Sequence, residues 1–286
     1  MAAFPSMRQR SVLGALLAVS CWKAPITVGA APLPVWVEEF DSTSVPQPPN
    51  PARWRFEVGN GPADLPGWGN RELQYYTGRS KNLFVQDGLL HIRALVTDPA
   101  RPDGPGPTSA RLMSLPGVLP RFGLFEVRAK LPCGRGAWPA IWMLGEHGKW
   151  PARGEIDIAE WAGATFSENE MQIALHDQWR FGGQARVSRF PLPAACGEFH
   201  TYRLLKSRAD IRVSVDAPVG KWRIISRPGR GETGSWPFDR PFQMIFNVAV
   251  GGDLGGPLSP DGPAGFELLV DYVRVYPCPP RKRCDL

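Results

Sequence analysis

Two-residue alternation of apolar and polar side chains recurs along most of this chain, and it narrows the folds open to it. Phe125, Val127, Ala129 and Leu131 alternate with Glu126, Arg128 and Lys130, the pattern of a strand buried on one face. Ile211, Val213 and Val215 alternate in the same way with Arg212, Ser214 and Asp216. Trp138, Ala140, Trp142 and Leu144 share one face of another segment, with Ile141 and Met143 on the other; Gln243, Ile245 and Asn247 oppose Met244, Phe246 and Val248. Residues 269–276 are again strand-like. No long segment carries a helical stripe, and 31 glycines and 31 prolines interrupt the 286 residues, which excludes a helical bundle. An apolar fraction of 43% against 21% charge excludes a disordered chain. The expectation is an all-β sandwich over about residues 35–280, with 44–51 and 98–107 as loops too short to divide it.

The ends differ in character. Arg8 and Arg10 precede the apolar run Ser11–Trp22, too short to span a bilayer, and Val28-Gly29-Ala30 offers small residues for cleavage. Residues 1–31 therefore read as an export signal, 32–280 as the folded domain and 281–286 as a basic tail. The expected location is secreted or periplasmic. Ala18-Val19-Ser20-Cys21 is an imperfect lipobox, so a lipid anchor on Cys21 is the one route to a membrane and the alternative to free secretion. The net charge of +6 comes largely from the two ends; between them acids and bases nearly balance, which argues against a nucleic-acid partner. Setting Cys21 aside leaves Cys133, Cys196, Cys278 and Cys284, an even number suited to disulfides in an exported chain. Cys278 and Cys284 are close enough in sequence to close a small loop, which leaves Cys133 with Cys196. No cysteine or histidine pair has zinc-ligand spacing.

Chemistry concentrates in Gly154-Glu155-Ile156-Asp157-Ile158-Ala159-Glu160-Trp161. On a regular strand Glu155 and Asp157 share a face and Glu160 points into the core. A buried unpaired carboxylate is costly. One extra residue bulged at Ile158 or Ala159 would return Glu160 to the face of the other two, and bulges re-aim side chains beside active sites. Three acids on one face repel, so at least one is expected to have a raised pKa. Retaining glycoside hydrolysis needs such an arrangement, with two carboxyls roughly 5–5.5 Å apart. The alternative is a polar strand facing solvent with incidental acids. Trp138 and Trp142 on the preceding strand, and Trp150 and Trp161 flanking the acids, favour a carbohydrate cleft, because sugar rings stack their C–H faces on aromatic rings. Trp36, Trp54 and Trp222 read as core.

The segment resembles the bulged Glu-x-Asp-x-x-Glu signature of glycoside hydrolase family 16, in its laminarinase-like form. The likeness extends to residues 68–77 (Trp-Gly-Asn-Arg-Glu-Leu-Gln-Tyr-Tyr-Thr), 108–112, 121–142, 247–252 and 270–276. It implies a two-sheet β-jelly-roll, concanavalin A-like, with a concave substrate groove. It also implies a retaining endo-hydrolase of β-1,3-glucosidic linkages in laminarin-type glucans, acting as a monomer on β-glucan polysaccharide. By the resemblance Glu155 is the nucleophile, Glu160 the acid/base, and Asp157 the residue between them that orients the nucleophile. Trp138 and Trp142 stack on glucose rings; Asn70, Arg111 and Asn247 bond sugar hydroxyls. His176 is either a cleft histidine near the acid/base or a partly buried strand residue. No cofactor is implied for catalysis. Many relatives hold a structural calcium on the convex side, through backbone oxygens and the aspartate matched by Asp271, with Glu39 as a neighbour.

The chain departs from the family pattern at Leu205-Lys206 after the His-Thr-Tyr motif, at Trp161-Ala162-Gly163 and at Asp253, which bears on fine specificity. The alternatives on the same fold are a mixed-linkage β-1,3-1,4-glucanase, an enzyme acting on agar or carrageenan, and a non-catalytic β-glucan-binding protein. The last class usually lacks one or both glutamates, which this chain keeps.

Overall fold

The expected alternation becomes two sheets packed face to face. The computed structural model describes residues 33–42, 44–216, 222–227 and 236–278; the expected export signal, Cys21, Cys284 and the basic tail lie outside them. In chain order the strands are β1 (Trp36–Glu38), β2 (Trp54–Glu57), β3 (Tyr75–Tyr76), β4 (Leu83–Gln86), β5 (Leu89–Asp98) and β6 (Gly106–Ser109). Next come β7 (Arg111–Ser114), β8 (Gly123–Lys130), β9 (Ala137–Gly145), β10 (Glu155–Glu160), β11 (Glu170–His176) and β12 (Arg186–Pro191). The last are β13 (Phe199–Lys206), β14 (Asp210–Val215), β15 (Arg223–Ser226), β16 (Phe242–Val250) and β17 (Gly265–Tyr276). One sheet runs β15-β14-β13-β8-β17-β5-β6-β3, with β1 on β17 and β4 on β5. The other runs β12-β11-β10-β9-β16-β7-β2.

The inner faces meet in a single large core. Phe125, Val127 and Ala129 of β8 and Tyr202 and Leu204 of β13 face Ile141 and Met143 of β9, Ile156 and Ile158 of β10, and Met244, Phe246 and Val248 of β16. Period-two alternation therefore fixes which residues are left on the outer face of the seven-stranded sheet. Trp54 is buried in the core, Trp36 packs against it, and Trp222 lies partly buried beside Leu124 and Leu205. Cys133 and Cys196 form the expected disulfide, their Cα atoms 5.5 Å apart. It ties the segment after β8 to the one before β13.

On the other sheet, Asp271 and Glu39, the residues expected near a structural calcium, each have an arginine partner. Asp271 sits where the β17–β8 register shifts, between Val270 and Tyr272, and its carboxylate meets the Arg128 guanidinium. Both Glu39 oxygens accept from Arg274, Nε at 2.7 Å and an Nη at 2.8 Å. Guanidinium partners, in place of a shared oxygen cage, hold these two carboxylates, and such pairs suit arginine's planar fork.

Candidate active site

Strand β10 is built as the acids require. Against β9, Asp157 pairs with Trp142, Ala159 with Ile141 and Glu160 with Ala140, with a shift between Asp157 and Ala159. Against β11, Asp157 pairs with Ala174 and Glu160 with Gln172, again across a shift. The bulge puts both Ile158 and Ala159 into the core, at 1% and 0% exposure, and Glu160 returns to the outer face with Glu155 and Asp157. The swap is favourable because it buries two apolar side chains and spares a carboxylate from the interior.

Each acid has named partners. Glu160 Oε1 accepts the indole N–H of Trp138 at 2.8 Å, and its Oε2 accepts from the amide of Gln172, directly opposite on β11. Glu155 Oε2 accepts the Trp150 indole N–H at 3.1 Å. His176, paired with Glu155 across the strands, sets its Nε2 at 3.2 Å from Asp157 Oδ2 and 3.6 Å from Glu155 Oε1. Its Nδ1 lies 3.2 Å from the Gly182 backbone nitrogen.

The electrostatics follow from burial among like charges. Burial first, then the charge of Asp157, pushes both Glu155 and Glu160 well above the usual carboxylate range. Burial alone would push His176 down. Its hydrogen bond to Asp157 and the charges of Asp157, Glu155 and Glu160 outweigh that and hold it up at about 9. Like charges on one face therefore disfavour ionising all three acids together, and the same acids favour a proton on His176 Nε2. Glu155, Asp157 and His176 are also the group of ligand atoms, within 4.8 Å of one another, that could hold a metal ion. A metal there would compete with the proton that the acids favour on the imidazole.

On the other side of the acids, one hydrogen-bonded chain runs through the sheet. Trp142 donates its indole N–H to Asn247 Oδ1 at 2.8 Å, Asn247 donates to the Tyr76 hydroxyl at 3.0 Å, and Tyr76 donates to Glu72 Oε2 at 3.3 Å. Glu72 also accepts from Asn70 at 3.1 Å and from Gln74 at 2.6 Å, and burial raises its pKa. Arg111 projects beside Asn247, its β16 partner, and pairs with Glu57 of β2 at 2.6 Å. Its guanidinium carbon lies 4.3 Å from the Trp68 ring centre and 4.8 Å from that of Trp142, a cation held between two indoles.

The structure thus brings Glu155, Asp157, Glu160, His176, Trp138, Trp142, Asn247, Arg111 and Asn70 into one neighbourhood on and beside the outer face. Asp271 lies on the opposite sheet, and Glu39 directly follows β1 of that sheet. Sequence reasoning passed over Gln172, although alternation of Met171, Ile173 and Leu175 with polar neighbours along Glu170–His176 marks its face. Glu57, Trp68 and Tyr76 were equally unassigned. Asp253, one of the departures from the family pattern, pairs with Arg71 at 2.6 Å on the surface.

A jelly-roll sheet that carries three acids on one face among indoles defines a glycosidase class of site. Residues 94–267 match glycosyl hydrolases family 16, and the chain belongs to that family. It is 38% identical over 265 residues to a beta-glucanase of Rhodothermus marinus, covering 85% of this chain and 84% of that one. A glucan endo-1,3-beta-glucosidase of Cryptopygus antarcticus is 35% identical, with 84% and 90% covered. Among solved structures, the catalytic domain of an endo-1,3-beta-glucanase (laminarinase) from Thermotoga petrophila superposes with a TM-score of 0.75 at 36% identity, covering 86% of this chain and 98% of that one. The protein is a glycoside hydrolase of this family.

Proposed function

We propose that the enzyme is a retaining endo-β-1,3-glucanase of laminarin-type glucans, exported from the cytoplasm. The observation that carries the reading is the bulge that sets Glu160 on the face of Glu155 and Asp157, beside indoles whose N–H groups are already engaged. Glu155 attacks the anomeric carbon while Glu160 gives its proton to the departing glycosidic oxygen, so the C–O bond breaks and a glycosyl ester forms. Glu160 then takes a proton from water, whose oxygen attacks the same carbon and releases Glu155. Asp157, hydrogen-bonded to the imidazolium, orients the nucleophile and, as an anion, resists ionisation of both glutamates at once. The rings of Trp138 and Trp142 hold sugars on one side of the cut, with Asn70, Arg111 and Asn247 as polar neighbours. The names of the similar beta-glucanase and endo-1,3-beta-glucosidase support the substrate.

Product analysis on laminarin, lichenan and agarose side by side tests this. The expected result is internal cleavage of laminarin with the β-anomer formed first. Faster turnover of lichenan reassigns the linkage, an initial α-anomer refutes retention, and binding without new reducing ends refutes catalysis.

A further inference from the structure

Both carboxyl oxygens of Glu160 are met by donors. Trp138 reaches Oε1 at 2.8 Å, and the amide of Gln172 reaches Oε2. The two donors differ in kind. An indole N–H can only donate, whereas a glutamine amide carries a donor and an acceptor and presents either one after a half turn. Turned round, Gln172 would offer its carbonyl oxygen and draw the Glu160 proton towards itself, away from the groove.

Arg189 is placed to prevent that turn. It lies directly opposite Gln172 in the β11–β12 register, and its Nε donates to Gln172 Oε1 at 3.3 Å. A guanidinium has no acceptor, so the carbonyl side of the amide faces Arg189 and the NH2 side faces Glu160. Gln172 is only 6% exposed, which limits competition from water at either end. Arg189 itself is exposed on the edge strand. Its guanidinium carbon nevertheless lies 5.0 Å from the centre of the Phe166 ring, and Phe166 packs on the core, so a fixed ring face restrains the cation.

We infer that Arg189 is a positioning residue, which acts through Gln172 to keep the proton of Glu160 aimed at the glycosidic oxygen. This rests on the proposed function, in which Glu160 is the acid/base. With donors on both oxygens, the carboxylate that forms as the proton leaves is stabilised, and the proton finds no acceptor on the Gln172 side. Without Arg189 the amide is free to turn, its carbonyl binds the protonated carboxyl, and the acid weakens. The charged groups facing Glu160 are Glu155 and Asp157 on β10 and His176 on β11; beyond Gln172 stand Arg189 and Glu170, and β9 contributes the neutral Trp138.

The test compares Arg189→Leu, Arg189→Lys, Gln172→Met and the double variant Arg189→Leu with Gln172→Met. Each is assayed on laminarin and on a dinitrophenyl glycoside of a β-1,3-linked glucobiose, whose phenolate leaves without a proton. Arg189→Leu is expected to lower kcat/KM on laminarin about tenfold, short of the loss of about 10²–10⁴ for a missing acid. The basic limb of its pH profile rises by about one unit, while kcat/KM on the aryl glycoside stays near that of the parent. Arg189→Lys, which still donates, restores most of both. Loss of charge by itself would also move the limb, and methionine at 172 separates the two causes because it has no amide to turn. In that background Arg189→Leu is expected to add nothing. A limb that moves equally in both backgrounds, equal losses on the two substrates, or a parental profile in Arg189→Leu overturns the positioning role alone. The comparison of substrates decides the matter if the Gln172 variants fail to fold. Parental turnover of laminarin by Glu160→Gln overturns the function on which the role rests.

Discussion

Replacing His176 with glutamine removes the imidazolium facing Asp157 and Glu155 and leaves a neutral amide. Its pKa stands at about 9 against 6.5 for the free side chain, a difference worth about 3 kcal/mol. That figure is net of burial, which pulls the other way, so the attraction to the acids is at least as large. Linkage is reciprocal: the same cation disfavours protonation of the acids by the same total, spread over Glu155, Asp157 and Glu160. Asp157 supplies the two largest attractive contributions and Glu155, 3.6 Å away, the next, so about a third of it at most falls on Glu155, and losing the cation raises that carboxyl by at most about one pH unit. The nucleophile must be ionised and the acid protonated, and both pKa values rise, so the bell of kcat/KM against pH moves bodily to higher pH. Its acid limb is expected to shift upward by at most about one unit. Parallel pH profiles on laminarin, with melting temperature as a check on folding, measure it. An acid limb that stays where it was, in a folded and active variant, would show that His176 does not set the charge of this group.

Glu160→Gln keeps the size of the side chain but cannot deliver a proton; kcat on laminarin is expected to fall by about 10²–10⁴, while oligosaccharide affinity by calorimetry stays close to that of the parent. Tyr76→Phe cuts the chain between Asn247 and Glu72 and strands a buried donor at a cost of about 1–3 kcal/mol. Denaturant titration should find that loss, and kinetics should show KM rising more than kcat falls as Trp142 loosens. Replacing Cys133 and Cys196 together with alanine frees a loop spanning a sequence separation of 63, for which chain entropy gives about 4 kcal/mol of lost stability. An unchanged unfolding midpoint would show that the bridge adds nothing to this core.

Much of this was legible in the residues. Strict alternation along β8, β9 and β16 specified both their strand character and their buried faces, because a single-residue slip would expose every core side chain. The bulge in β10 could be reasoned from the cost of burying Glu160. The comparable irregularity in β17 could not, because Asp271 and Tyr272 are both tolerable at a surface and nothing in their chemistry demands a shift. The partners of Asp271 and Glu39 were hidden for a related reason. A carboxylate's partner is chosen by cross-strand neighbours, here Arg128 and Arg274, and those pairings depend on register, which no local pattern reveals. Arg111 was expected to bond sugar; its lodging between two indoles and Glu57 depends on four segments meeting.

Three indole N–H groups end on the working parts of this enzyme: Trp138 on Glu160, Trp150 on Glu155 and Trp142 on Asn247. Indole emission responds to the charge and polarity of whatever its nitrogen touches. The molecule therefore has a built-in optical gauge, whose signal changes as protons move on the glutamates or as sugar displaces water from the rings. Titration and substrate loading can be followed by light without attaching a dye.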